Sequence, residues 1–293
     1  MQQNQFKLEK ERDLGEIITD TFTFIRINFK DLTQVFIKFI LPIMLISVIA
    51  GVYYQYASQE FTSSNLLINN NPFEVLQNLT ALIIPLIFTL VSGILFYVFS
   101  YLAILASMKC FKETGQIELD FVSNEIKSRF WSMTGLLIVS FLILVFSIAL
   151  CGLPFFYFIV PVSIMFSILV FEDKSVGESI SHAFTLIKEN FWMTLLTIIV
   201  IILIISFASG IFQVPILIYS MFTMVTKLEA NTVDYESLLE VDWVMLSLTA
   251  IGNFGSNIFS LVTVIAFALI YFNLNEKHTM SGTVQEIDSI GSN

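Results

Sequence analysis

Charge is scarce in this 293-residue chain: Asp, Glu, Lys and Arg together make up 13% of it. Only 14 residues are Lys or Arg against 24 acids, a formal net charge of −10. Binding to nucleic-acid phosphates needs clustered basic side chains, so no nucleic-acid partner is expected. Two cysteines are too few for a disulfide-stapled secreted scaffold. The two histidines, His182 and His278, have no Cys, His or carboxylate at ligand spacing, so no metal and no cofactor is expected. No phosphate-binding glycine loop, Gly-x-Ser-x-Gly or His-Glu-x-x-His motif occurs, and no catalytic residue is assigned.

What the chain has in quantity is apolar surface. Hydrophobic residues make up 56% and mean hydropathy is +0.82, which leaves too little polar surface to cover a soluble globule. Six apolar runs are expected to cross a membrane, at about 33–55, 80–108, 132–152, 155–171, 193–212 and 246–273. The fold class is therefore all-α, a polytopic integral membrane protein with six transmembrane helices in three hairpins. Cys151-Gly152-Leu153-Pro154 supplies the turn of the middle hairpin, because proline cannot continue a helix.

The segment before the first run mixes both charge signs and has no short apolar core followed by a small-residue cleavage site, so an uncleaved anchor is expected. With the N-terminus inside, Lys227 is the one basic residue that falls outside and the other thirteen fall on the cytoplasmic side. This distribution predicts a multi-pass protein of the bacterial cytoplasmic (inner) membrane with both termini cytoplasmic. The domain reading is a polar tail over 1–13, one transmembrane domain over 14–273 with repeat units 14–108, 119–171 and 176–273, and a cytoplasmic tail over 274–293. Cys110 and Cys151 lie at opposite membrane faces in this topology, about 30 Å apart, and are expected to be free thiols. The acidic outer segment from Glu229 to Asp242 lacks the ligand spacing of a calcium loop and reads as solvated surface.

An internal repeat is the most specific feature. Residues 14–29 align without gaps on 176–191, with eight of sixteen positions identical, including Gly15/Gly177, Phe22/Phe184, Ile25/Ile187 and Phe29/Phe191. A weaker third copy, Ile126-Lys127-Ser128-Arg129-Phe130-Trp131, matches Ile187-Lys188-Glu189-Asn190-Phe191-Trp192. In the first copy Leu14, Ile18, Phe22, Ile25 and Phe29 fall on one helical stripe, and Val176, Ile180, Phe184, Ile187 and Phe191 repeat it. Each copy is expected to be an amphipathic helix in the cytoplasmic interface, with Arg26 and Lys188 near the headgroups. Such helices either brace the inner ends of the spans or meet a lipid or protein partner. Trp131, Trp192 and Trp243 fall at the expected membrane boundaries.

Three stretches carry a family resemblance. They are Val170-Phe171-Glu172, then Val176-Gly177-Glu178-Ser179-Ile180 with Phe184, Ile187, Lys188 and Phe191-Trp192, and finally Ile270-Tyr271-Phe272-Asn273-Leu274 with Glu276. Over most of its length the chain resembles a bacterial family of polytopic membrane proteins that includes the glycerophosphoryl diester phosphodiesterase membrane domain. The soluble catalytic barrel of the fused enzymes is absent from this sequence, so the resemblance implies a membrane domain without phosphodiesterase activity.

Within the spans, Lys38 is placed to snorkel toward the headgroups. Asn253, Ser256, Asn257 and Ser260 share one face of the last span beside Gly252 and Gly255, a pattern that serves helix packing or a polar notch for a lipid headgroup or small solute. The functional expectation is a non-enzymatic scaffold or accessory protein, whose partners are the lipid bilayer and a membrane or cytoplasmic protein. The alternative is a transporter or channel-like protein for lipid or an amphipathic solute.

Overall fold

The computed structural model describes residues 6–66, 72–150, 152–229 and 241–279, and among them every regular element is helical. The helices are α1 (Leu14–Ile27), α2 (Phe29–Val35), α3 (Leu41–Leu66), α4 (Pro72–Thr114), α5 (Leu119–Ala149), α6 (Leu153–Phe171), α7 (Val176–Ile187), α8 (Phe191–Gly210), α9 (Val214–Glu229) and α10 (Trp243–Thr279). A π-helical turn, Phe36–Ile40, joins α2 to α3 and carries Lys38, whose ammonium sits 5.2 Å from the Phe39 ring centre. Six segments are long and apolar enough to cross a membrane: Phe29–Phe61, Leu79–Thr114, Leu119–Ala149, Leu153–Phe171, Phe191–Thr226 and Trp243–Thr279. Each of the six expected runs overlaps one of them, and the chain is a multi-pass, all-α membrane protein.

The aligned copies begin with the same device. The Asp13 carboxylate accepts from the Glu16 N–H at 2.7 Å while the Glu16 carboxylate accepts from the Asp13 N–H at 3.1 Å, a reciprocal cap on α1. Ser175 and Glu178 do the same for α7, at 3.4 and 2.9 Å. Asp13 and Ser175 stand one residue ahead of the aligned sixteen. α1 stops at an asparagine of the alignment, whereas α7 ends at Ile187, three residues before the equivalent Asn190. Asn28 leaves helical geometry and returns its side-chain amide to the Phe24 carbonyl at 3.1 Å, and a turn over 188–190 ends α7. The next helix then restarts from the asparagine's own carbonyl, which accepts from Leu32 N–H at 2.9 Å in the first copy and from Thr194 N–H at 2.9 Å in the second.

The third copy differs. Residues 119–149 form one uninterrupted helix, so no separate helix precedes the third span. The position that Asn190 holds in the second copy is Arg129 here, and arginine favours the helix interior where asparagine does not. The Phe130–Trp131 and Phe191–Trp192 pairs nevertheless share a geometry, each edge-to-face with ring centres 5.3 Å apart. All three tryptophans are exposed.

The packed face of α1 also departs from the expected stripe. Ile17, Thr21 and Phe24 are buried, whereas Phe22 is 50% and Phe29 65% exposed. In α7 the corresponding Ser179, Ala183 and Leu186 are buried, joined by Ile187. Small residues on that face let α7 approach its neighbours α5 and α6 closely, while the larger Phe184 lies at the edge against Tyr157 and Phe158. An apolar stripe in a bilayer has two possible partners, protein and lipid. Periodicity alone cannot choose between them.

The chain divides into two compact units. The first comprises Met1–Ile40, Val98–Ile205 and Ser260–Asn293, and its core is the continuously buried run Val160–Val170 of α6 with 101–110 of α4 and 264–274 of α10. Gly152 enters α6 with φ +76°, a left-handed turn that glycine adopts without strain, and Pro154 follows in the first turn of the helix. Ser107, Ser140, Thr194 and Thr197 each donate to the carbonyl four residues back, which satisfies their hydroxyls inside their own helices.

The second unit comprises Leu41–Tyr97 and Ser206–Phe259. Asp242 caps α10 by accepting from Met245 N–H at 2.9 Å, takes a further bond from the Tyr219 hydroxyl at 3.0 Å, and gives its own N–H to Gln59. Thr89 donates to the Ala50 carbonyl at 2.8 Å. Ile49, Ile83, Ile84, Ile87 and Leu90 are exposed, an apolar surface suited to acyl chains. Cys110 is buried as a free thiol; Cys151 and the acidic segment over 230–240 lie outside the described residues.

Candidate functional site

Charged side chains gather at one end of the first unit, and they are used on one another. Lys109 of α4, 9% exposed at its side chain, reaches Asp173 at 2.7 Å and Glu125 of α5 at 3.6 Å. Arg129, one turn after Glu125, pairs with it at 2.5 Å, donates to the Leu169 carbonyl at 2.8 Å, and closes on Asp173 as well. Asp173 sits at φ +56°, a left-handed position that costs a non-glycine residue roughly 1–2 kcal/mol. The two cations hold it there. Partial burial would raise the Asp173 pKa, but the Lys109 hydrogen bond and the Arg129 charge outweigh that and keep it below the usual carboxylate range.

Glu172, beside it, accepts from the Tyr271 hydroxyl at 2.9 Å and from Lys174 at 2.5 Å, with His182 Nε2 at 3.3 Å. Phe171 lies flat on Tyr271, ring centres 5.5 Å apart, and leans on Phe272. Val170-Phe171-Glu172 at the end of α6 and Ile270-Tyr271-Phe272 of α10 therefore meet in space. Tertiary folding brings the Glu172 carboxylate, ten residues back in the chain, against His182.

The segment before α1 is docked. Arg12 has no exposed side-chain surface, and its guanidinium donates to Asp20 at 2.8 Å and to the carbonyls of Leu8, Lys10 and Lys7 at 2.6, 3.0 and 2.5 Å. Its backbone N–H donates to Asn273 Oδ1 at 2.9 Å. Glu9 pairs with Lys112 at 2.7 Å, and Leu8 is buried. A buried guanidinium is tolerated because its donors face a carboxylate and three carbonyls.

Beside this anchor a cleft of about 390 Å³ opens between the start of α1, the start of α8 and the end of α10. Glu11, Asp13 and Glu16 line it from the α1 side, Asn190 from the turn before α8, Thr194 and Thr197 from α8, and Asn273 and Lys277 from α10. Glu16 is paired with Lys10 at 3.0 Å; this bond, with the capping bond to Asp13, lowers its pKa. A narrower apolar groove lies on the same three helices, lined by Ile18, Phe22, Ile201, Ile204, Val262 and Ala266 among others.

The four polar residues of the last span have a different setting. Ser256 accepts a hydrogen bond from Gln213 at 3.1 Å, and the Asn253 amide nitrogen stands 3.9 Å from where a Cβ on Gly51 would be. Asn257 and Ser260 are engaged as well. Gly252 and Gly255 admit Ile216 and Phe212 into space that a Cβ would fill. Of the repeat residues, Phe22 borders the groove, Ile187 is buried, Phe191 packs on Tyr157 at 5.5 Å, Ile25 is partly buried, and Arg26 and Lys188 are exposed. The Asp13-x-x-Glu16 and Ser175-x-x-Glu178 caps are legible as sequence signatures. The cleft has no linear signal, since its residues come from three separated segments. Compared with known proteins, the chain matches no family model, no curated protein sequence and no solved structure.

Proposed function

We propose that this chain is a non-enzymatic integral membrane protein of the bacterial cytoplasmic membrane, acting as a scaffold or accessory protein for a membrane partner or for lipid. The observation that supports this reading is the mutual use of its clustered charges. Lys109, Glu125, Arg129 and Asp173 neutralise one another, and Arg12 is saturated by Asp20 and backbone carbonyls. Groups so engaged fix the shape of the bundle end rather than move protons for a reaction. Kinship with the glycerophosphoryl diester phosphodiesterase membrane domain belongs to the same proposal, as do the two amphipathic repeat helices at the cytoplasmic interface. Both termini are placed in the cytoplasm, which reporter fusions near Gly152 and Ser175 test by reading outside and inside respectively.

Mild extraction followed by mass spectrometry of co-purifying lipids and proteins tests the role. Retention of a defined lipid class or a stoichiometric protein supports it; a preparation that retains neither overturns it. A second reading, a transporter for lipid or an amphipathic solute, draws support from the cleft and the apolar groove on the same three helices. Lipid scrambling by the reconstituted protein in vesicles separates transfer from binding.

A further inference from the structure

The cleft and the groove follow one another along the same helices. From Asn190, just ahead of α8, and Thr194 and Thr197 on it the lining passes to Ile201, Ile204 and Ile205; on α10 it passes from Lys277 and Asn273 to Ala266 and Val262. On α1 it passes from Asp13 and Glu16 to Ile18 and Phe22. At about 1.5 Å per residue, the polar and apolar centres lie roughly 12–15 Å apart along α8. The charged and amide side chains sit at the cleft end, set among Leu14, Ile17, Met193, Ile270 and Leu274, and the groove is apolar apart from Thr21, which is the profile of an amphiphile with its head in the cleft. The cleft volume suits a headgroup.

Charge selects among heads. Arg12 borders the cleft, but its guanidinium is committed to Asp20 and to carbonyls. Glu16 is held by Lys10. Glu11, exposed, and Asp13, whose exposed carboxylate also caps α1 through the Glu16 N–H, then face the cleft together with Lys277 of α10. A purely anionic head would meet two carboxylates for one ammonium, whereas a head carrying an ammonium beside its phosphate has an opposite charge for each.

We infer that the cleft and groove bind a zwitterionic aminophospholipid. Its ammonium lies toward Glu11 and Asp13, its phosphate toward Lys277, and one acyl chain runs past Ile18, Phe22, Ile204 and Ala266. This inference rests on the lipid-serving reading above and narrows it to one headgroup class.

The test is native mass spectrometry of the full-length, delipidated protein titrated with phosphatidylethanolamine or phosphatidylglycerol of identical acyl chains. The expected result is a preference of about tenfold for phosphatidylethanolamine, the scale of one or two partly screened charge contacts. Glu11→Gln and Lys277→Gln are each expected to reduce that preference severalfold with unchanged melting temperature. Ala266→Phe, which fills the groove, is expected to weaken both lipids alike. If that variant fails to fold, the two charge variants decide the matter, because neither side chain is part of the core. Equal binding of the two lipids, a preference for phosphatidylglycerol, or indifference to both charge variants overturns the site while leaving the broader lipid role standing. A protein that retains no lipid and no partner overturns both.

Discussion

The Tyr271 hydroxyl donates to the Glu172 carboxylate at 2.9 Å, joining residues 99 positions apart at the ends of α6 and α10. Helices in lipid gain no hydrophobic free energy from one another, because acyl chains are as apolar as leucine. Polar contacts and close packing must hold such a bundle. Here the polar contacts concentrate where α4, α6 and α10 end and α5 begins, and the aromatic stack of Phe171 on Tyr271 packs beside them.

Arg12 is the anchor whose loss is most costly. Arg12→Met leaves Asp20 and three carbonyls without their shared donor, and removing one member of a buried pair typically costs about 3–5 kcal/mol. A large fall in the melting temperature of the detergent-solubilised protein is expected. Lys10→Gln, in an exposed pair, is expected to leave melting nearly unchanged.

The two faces of α1 separate by substitution. Phe24 is buried against Phe111, ring centres 5.4 Å apart, so Phe24→Ala is expected to cost about 3–5 kcal/mol. Phe22→Ala is expected to cost distinctly less, since half of that side chain already faces outward. Equal losses of thermal stability in the two variants would contradict this assignment of faces.

Asp173 ties stability to acidic pH. Its pKa is lowered in the folded state, so its contribution is complete above the unfolded value of about 3.9 and is lost as pH falls through the lower folded value. Its side chain is 60% exposed, so solvent screens the effect. Melting followed from about pH 6 to pH 3 is expected to fall less steeply in Asp173→Asn than in the parent, and parallel curves would refute the coupling.

Gly255 is a close-approach glycine. A Cβ there overlaps the Phe212 ring, so Gly255→Ala is expected to destabilise by about 1–3 kcal/mol through overpacking. Adding Phe212→Leu removes the obstructing ring and is expected to restore part of the loss. The double-mutant cycle measures this coupling, and strict additivity would contradict it.

The sequence alone determined that the chain is all-helical, where its six apolar segments lie, and that Gly152 and Pro154 turn the middle hairpin. Each of these follows from local physics: bilayer thickness sets the length of an apolar run, and backbone geometry sets what glycine and proline allow. The repeat alignment also held the positions from which α2 and α8 restart, Asn28 and Asn190, and Arg129 at the third is a local helix propensity. Which face of α1 packs was beyond periodicity, because in a bilayer an apolar stripe satisfies lipid as well as it satisfies protein, and Phe24 rather than Phe22 turned inward. Only the tertiary structure decided that Arg12 anchors the segment before α1, that Glu172 meets Tyr271 and His182, and that Glu11, Asn190 and Lys277 border one cleft. Those contacts join segments far apart in the chain, and electrostatic pairing depends on distance in space, which spacing along the sequence does not encode.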